Sequence, residues 1–251
     1  MMHGSDHEGE VDLSLVGQIT AAIADDIICG RLEPGQRIRH QELTRRFGAS
    51  FGSIREALLK VEHLRLVSIS PRRGARVAVP SIETIEDLFA IRSAVYPVLV
   101  RGAILRGSDE ELRRFADEAT QLVRMLLSDV SSDAITDQSN VTGARLAEAA
   151  KMPWPNEILY TTLLQFGWFT NRLSLGESQE RQEAASAWDA LTAAIRTRDL
   201  EASDVAARRM LRRGARAVMH KLYEQHGLTR DEIARRLAML MADEGPRSAE
   251  G

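Results

Sequence analysis

With 251 residues, 44% of them hydrophobic, the chain has material for two domains with true cores, given roughly 100 to 200 residues per domain. Its single cysteine, Cys29, excludes a disulfide framework or a cysteine-based zinc site within one chain and suits a reducing cytosol. The formal charge of -3 opposes a nucleic-acid partner only as a sum: from Ser14 to Ala78 eleven Arg and Lys face six Asp and Glu, a net +5 that leaves -8 elsewhere.

Residues 1 to 13 carry Asp6, Glu8, Glu10 and Asp12 with little to bury and read as a mobile acidic tail. Val16, Ile19, Ile23 and Ile27 then recur at helical spacing, and Gly30 offers the left-handed stop that ends such a helix. Pro34 and Gly35 make a turn, Leu43 and Phe47 mark one face of a short second helix, and Gly48 is a tight corner. Ser50 is placed to cap a third helix whose Ile54, Ala57, Leu58 and Val61 point inward. A hairpin follows, with Val67 and Ile69 alternating, Pro71, Arg72, Arg73 and Gly74 at the tip, and Val77 and Val79 returning.

Two short helices, a turn, a third helix and a basic-tipped hairpin are the outline of a winged helix-turn-helix over residues 14–79, a shape suited to a major groove. The expected DNA contacts are Arg45, the start of the third helix at Ser50, Phe51, Gly52, Ser53 and Arg55, and the wing tip at Arg72, Arg73 and Gly74. For Arg55 the alternative is pairing with a neighbouring acid; for Arg45, Arg72 and Arg73 it is a solvated basic face.

Residues 80–83 read as a linker, and 84–243 as an all-helical domain for effector binding and dimerisation, followed by a frayed tail over 244–251. Helices are expected at about 84–105, 109–128, 134–151, 154–174, 178–197 and 200–225, with a last one opening at Thr229, whose spacing to Glu232 fits a capping box. Pro97 should bend the first of these or remove one of its hydrogen bonds. No charged-then-apolar leader opens the sequence, and charge breaks every long apolar run before the roughly 20 residues of a membrane span, so a soluble cytoplasmic protein is expected. Catalysis is not expected: there is no Gly-x-x-x-x-Gly-Lys loop, no histidine pair on one helix, and no base near Cys29.

The segment "ICGRLEPGQRIRHQELTRRFGASFGSIREALLKVEHLRLVSISPRRGARV" resembles the DNA-binding domain of the GntR superfamily. "DLFAIRSAVYPVLVRGA" and "LTAAIRTRDLEASDVAARRML" resemble parts of the FadR-type, or FCD, effector domain. The resemblance covers about residues 14 to 225. It implies a mostly α fold: an N-terminal winged helix-turn-helix with a small β-hairpin wing, then an antiparallel bundle of six or seven helices. It also implies a homodimeric bacterial transcription factor that binds a pseudo-palindromic operator, as a repressor, with DNA affinity set by a small metabolite.

The departures from the family pattern carry their own expectations. The recognition helix of the family usually reads Ser-Arg-x-Pro-Val-Arg-Glu-Ala-Leu, but here the first arginine is Phe51, which offers only apolar contact, for instance to a thymine methyl. Many FCD domains hold a divalent metal through an aspartate and three histidines; alignment puts Ser139, Gly143, Trp188 and Met210 there, and no histidine lies between His63 and His220. No metal or other cofactor is therefore expected, and a small organic acid or apolar effector is. Arg92 matches an arginine that holds an effector carboxylate in several relatives, with Tyr96 one turn on. Gln165, Trp168, Asn171, Trp188 and Met210 are further candidate lining, with ordinary core packing the alternative for the last two and a salt bridge the alternative for Arg92. A regulator without effector, whose bundle only dimerises, and a protein-interaction scaffold with weak nonspecific DNA affinity are the rival readings.

Overall fold

In the computed structural model the described residues are 14–240, without the side chains of Leu164, Gln165, Trp168, Arg172, Met239 and Leu240. The tails expected over 1–13 and 244–251 lie outside them, as do residues 241–243. The chain forms two compact units, one ending at Val79 and the other beginning at Pro80.

In the first unit α1 (Leu15–Ile28), α2 (His40–Phe47) and α3 (Phe51–His63) surround one core. Ile19, Ile23 and Ile27 of α1 meet Ile54, Ala57, Leu58 and Val61 of α3 with no side-chain surface left to water, and each large aliphatic buried this way stabilises by about 1.5–3 kcal/mol. Gly30 and Gly48 hold φ of 70° and 60°, the left-handed conformation that lets the chain leave α1 and α2 sharply. The wing is β2 (Val67–Ser70) paired with β3 (Gly74–Val77), which turns Ala75 and Val77 inward.

Two features correct the expected hairpin. A third strand, β1 (Arg37–Ile38), pairs antiparallel with β3, so the sheet order is β1-β3-β2. The Pro34–Gly35 turn delivers it: the Gly35 amide donates to the Val77 carbonyl and the Val77 amide to that of Gln36. Two residues are too few to show an alternating pattern. Val79 lies beyond β3 and is exposed.

The second unit holds α4 (Ile82–Arg106), α5 (Asp109–Leu126), α6 (Ser132–Ala150), α7 (Pro153–Ser174), α8 (Ser178–Arg196), α9 (Leu200–Gln225) and α10 (Arg230–Leu240). The helix α4 starts inside the stretch expected as linker, since the Ser81 hydroxyl accepts from the Thr84 amide and sets the first turn there. It continues through buried Pro97, whose missing N–H leaves one carbonyl of the ladder without its donor. Ser108 and Glu111 form a capping box at α5, and the Ser108 amide together with Lys151 holds the Glu111 carboxyl down at about 2.

The helices α4, α5, α6, α8 and α9 share one apolar core, in which Val100, Ala103, Phe115, Leu146, Leu191 and Ala207 are sealed from solvent. The length and composition of α4 would suffice to cross a membrane, yet α6, α7 and α9 pack around it, as befits the central helix of a bundle.

Candidate DNA-binding face and bundle interior

The side chains at the start of α3 divide by what already engages them. Ser50 caps the helix, its Oγ accepting from the Ser53 amide at 3.1 Å and lying 3.0 Å from the Ser53 hydroxyl, so these two are first of all structural. Phe51 is 62% exposed and stacks on the ring of His40, centroids 4.8 Å apart, a contact between the first residues of α3 and α2 that sequence reading did not anticipate. Beside it, a Cβ at Gly52 would meet only the Ser50 Oγ at 3.6 Å; the glycine keeps the surface low without being required by the backbone. Arg55 is exposed, and among the described residues no acid pairs with it, so the neighbour-pairing alternative finds no support.

Seven of the other basic residues fall into two sets, and Arg37 and Arg65 are further exposed arginines without an ion pair among the described residues. Arg31 and Arg46 both hold Asp26, Arg39 pairs with Glu42 at 2.8 Å, and Arg76 donates to the Gly35 carbonyl at 2.9 Å. Those four are engaged within the unit. Arg45 stays exposed, with only a long 3.4 Å contact to the Gln41 carbonyl. At the wing tip Arg72 and Arg73 are exposed and make no ion pair among the described residues; Arg72 and Gly74 hold φ of 67° and 75°, which forms the tight tip. The Ile69 amide donates to Glu62 at 2.7 Å, fixing the wing to α3. In protein–DNA contacts generally, exposed cations engage phosphates and give salt-dependent affinity, while side chains that reach base edges carry sequence choice.

Asp26 is the buried group that organises this unit. Its carboxylate is nearly sealed from water, receives Arg31 Nε at 2.6 Å and is gripped by Arg46 from α2. Burial works against its charge, but the two guanidiniums outweigh burial and hold the carboxyl below its ordinary value.

Inside the bundle, Tyr96, Trp188 and Met210 pack against the same apolar core, coming from α4, α8 and α9. Across the second unit four polar side-chain atoms are buried without a hydrogen-bond partner among the described residues: Tyr96 Oη, Asn140 Oδ1, Thr192 Oγ1 and Arg213 Nε, on α4, α6, α8 and α9. Such groups cost about 1–3 kcal/mol each and call for a partner. Burial pushes the Tyr96 hydroxyl well above its ordinary value, against the pull of Arg92 one turn earlier. Burial also lowers the Arg92 guanidinium, which meets no carboxylate among the described residues, so the salt-bridge alternative is unsupported. Asn171 is half-buried toward the end of α7, and the side chains of Gln165 and Trp168 lie outside the described residues. Asn140, Thr192 and Arg213 went unmarked in the sequence; the available signal was a polar residue at a helical position otherwise filled by apolar ones.

The residues at the family's metal positions do not suit a divalent cation. Ser139, Gly143, Trp188 and Met210 include neither imidazole nor carboxylate, and among the described residues no three His, Cys, Asp or Glu side chains converge. A Cβ at Gly143 would meet nothing within 4 Å, so space rather than a donor stands at that position. Elemental analysis of the purified protein is expected to find zinc, nickel and manganese far below stoichiometric; about one metal per chain would overturn this reading.

Comparison with known proteins places these features. The pattern described as "Bacterial regulatory proteins, gntR family" matches residues 15–77, and that of the FCD domain matches residues 87–213. The HTH-type transcriptional repressor GlaR of Escherichia coli (strain K12) is 38% identical over 88 residues, 35% of this chain and 40% of that protein. The HTH-type transcriptional regulator BphR of Paraburkholderia xenovorans (strain LB400) is 33% identical over 97 residues, covering 39% and 40% respectively, so the matches span about two fifths of these relatives. Among solved structures, E. coli McbR/YncC superposes with a TM-score of 0.70 at 19% identity, over 86% of this chain and 100% of that one. A GntR transcriptional regulator from Rhodococcus sp. RHA1 gives 0.69 at 19% identity, over 82% and 97%. At such identity the superpositions speak for the fold, while the two family matches, the second covering half the chain, decide the kinship: this chain belongs to the GntR family of bacterial regulatory proteins, in the branch that joins a winged helix-turn-helix to an FCD domain.

Proposed function

We propose that the protein is a transcriptional regulator, acting as a repressor in the bacterial cytoplasm. It binds a pseudo-palindromic operator as a homodimer and releases it when a small organic acid enters the bundle. The observation that carries the DNA half is that Arg45, Arg55, Arg72 and Arg73, at α2, the start of α3 and the wing tip, stand outward together with Arg37 and Arg65, while Arg31, Arg39, Arg46 and Arg76 are engaged within the unit. The α3 helix would enter the major groove, with Phe51 against a thymine methyl and Arg55 on a guanine edge.

The effector half rests on Arg92 and Tyr96, neighbours one turn apart on α4, of which the Tyr96 hydroxyl is buried without a hydrogen-bond partner among the described residues, and on Tyr96, Trp188 and Met210 packed against one apolar core. An apolar body carrying a carboxylate suits that mixture: the fork of Arg92 takes the acid and the aromatic and thioether groups take the body. The acid must bind the two domain arrangements with different affinity, since equal affinity shifts nothing. The packing of Trp188 and Met210 on the core favours one rival, a regulator whose bundle only dimerises.

Selection from random duplexes with the purified full chain tests the first half. Two half-sites about 10 base pairs apart, centre to centre, are expected; recovery of unrelated sequences at equal affinity would leave the scaffold reading instead. Native mass spectrometry beside a denatured control tests the second. A retained organic acid that is lost in Arg92→Gln supports the sensor, and a bare protein that binds none of a panel of aliphatic and aromatic acids supports the effector-free regulator.

A further inference from the structure

Phe51 opens α3 outside the core: it is 62% exposed and stacks on the imidazole of His40, the first residue of α2, with the ring planes 22° apart. The imidazole nitrogens make no hydrogen bond among the described residues, so stacking is the contact that places the two rings. A phenylalanine has two side-chain torsions, and a partner against one face removes most of their freedom while the other face stays open. The ground beside the ring is low, since a Cβ at Gly52 would meet only the Ser50 Oγ at 3.6 Å. One turn on, Arg55 is exposed and without an acid partner among the described residues. Four residues of helix advance about 6 Å and base pairs are about 3.4 Å apart, so a fixed apolar ring and a free guanidinium address base pairs one or two steps apart.

We propose that His40 is a positioning residue for base reading, which sets the Phe51 ring against the C5-methyl group of a pyrimidine while Arg55 takes a guanine one or two steps away. The inference rests on the DNA-binding reading of the preceding section and names what that face selects. A phenyl ring carries no hydrogen-bond donor or conventional acceptor. In the major groove it therefore does not tell the O4 acceptor of thymine from the N4 donor of cytosine, and the methyl group is the feature it rewards. The face then prefers thymine to uracil, and 5-methylcytosine to cytosine, by the same factor. Burying one methyl changes affinity by about fourfold, or by about 15-fold when both half-sites lose it. So small an effect needs the ring presented in one orientation, and His40 supplies that. A ring without the stack divides its time among rotamers, of which only a fraction meets the methyl.

Fluorescence anisotropy with the full chain and the duplex it selects tests this, each thymine being replaced in turn by deoxyuridine. At one thymine per half-site, loss of the methyl is expected to weaken binding about fourfold, and at the other thymines not at all. With that T·A pair changed to C·G, methylating the cytosine at C5 should recover about fourfold. Phe51→Ala and His40→Ala should bring both ratios close to one, while His40→Tyr, which keeps a ring for the stack, should retain them. A role of His40 in stability alone would lower affinity and leave the ratios standing. Circular dichroism should show the same helix content in all three variants, since Phe51 is exposed and His40 half-buried. A selection that recovers no preferred sequence would overturn the DNA reading and this inference together. A preferred sequence with no methyl-sensitive thymine, or with ratios that survive Phe51→Ala or His40→Ala, would overturn the inference alone.

Discussion

Replacing Asp26 by alanine is expected to destabilise the DNA-binding unit by about 3 kcal/mol, the low end of what removing one partner of a buried ion pair costs. The low end applies because the side chains of Arg31 and Arg46 are 59% and 50% exposed and regain water once the carboxylate is gone. Against a domain stability of roughly 5–15 kcal/mol that loss is large, and urea denaturation should show the helix-turn-helix transition moving to lower denaturant. A transition that stays where it was would show that Asp26 does not hold α1 to α2.

The pH dependence has a definite sign. The folded-state pKa of Asp26 lies below its ordinary value of 3.8, so its contribution is complete above 3.8 and is lost as pH falls through the lower folded value. Wild-type stability should therefore drop below about pH 4 more steeply than that of Asp26→Asn, whose side chain has no charge to lose.

The second large effect falls on recognition. Arg55→Ala should weaken binding to the selected duplex by about 10- to 100-fold, the 1–3 kcal/mol of a bidentate arginine contact, with fold and dimer mass unchanged since the side chain is exposed and unpaired among the described residues. Arg72→Ala and Arg73→Ala should act differently. They should weaken all sequences alike and reduce the salt slope by about one each, as phosphate contacts do. Fluorescence anisotropy at fixed salt, repeated across a salt series, separates the two behaviours; unchanged affinity in Arg55→Ala would remove it from the interface.

These expectations draw on the chain at different depths. Helix positions were legible to within about two residues because each helix has a three-and-four apolar period and most have a serine, aspartate or glycine at an end. The outward start of α3 was legible for the same reason, as the complement of Ile54, Ala57, Leu58 and Val61. What a side chain bonds to was not. Nothing local marks Asp26 as the shared partner of Arg31 and Arg46, since Arg46 lies twenty residues on. Nothing in the wing announces that β1 would join β3, and the stack of Phe51 on His40 required two helix starts to meet across a corner.

The bundle divides the same way. That the described residues of the second unit form helices without a strand, and that histidine is missing from its middle, are properties of residue order and type, which local hydrogen bonding and periodicity turn directly into structure. That Tyr96, Asn140, Thr192 and Arg213 end buried and unpartnered is decided only when four helices close on one another, because burial and satisfaction are properties of the neighbours a residue acquires. By itself the sequence determined the helices and the two main wing strands, their apolar faces and the surplus of cations in the first unit. Tertiary structure alone decided which of those cations are engaged and which stand free, since ion pairing acts between atoms within a few ångströms in space, and separation along the chain does not predict that distance.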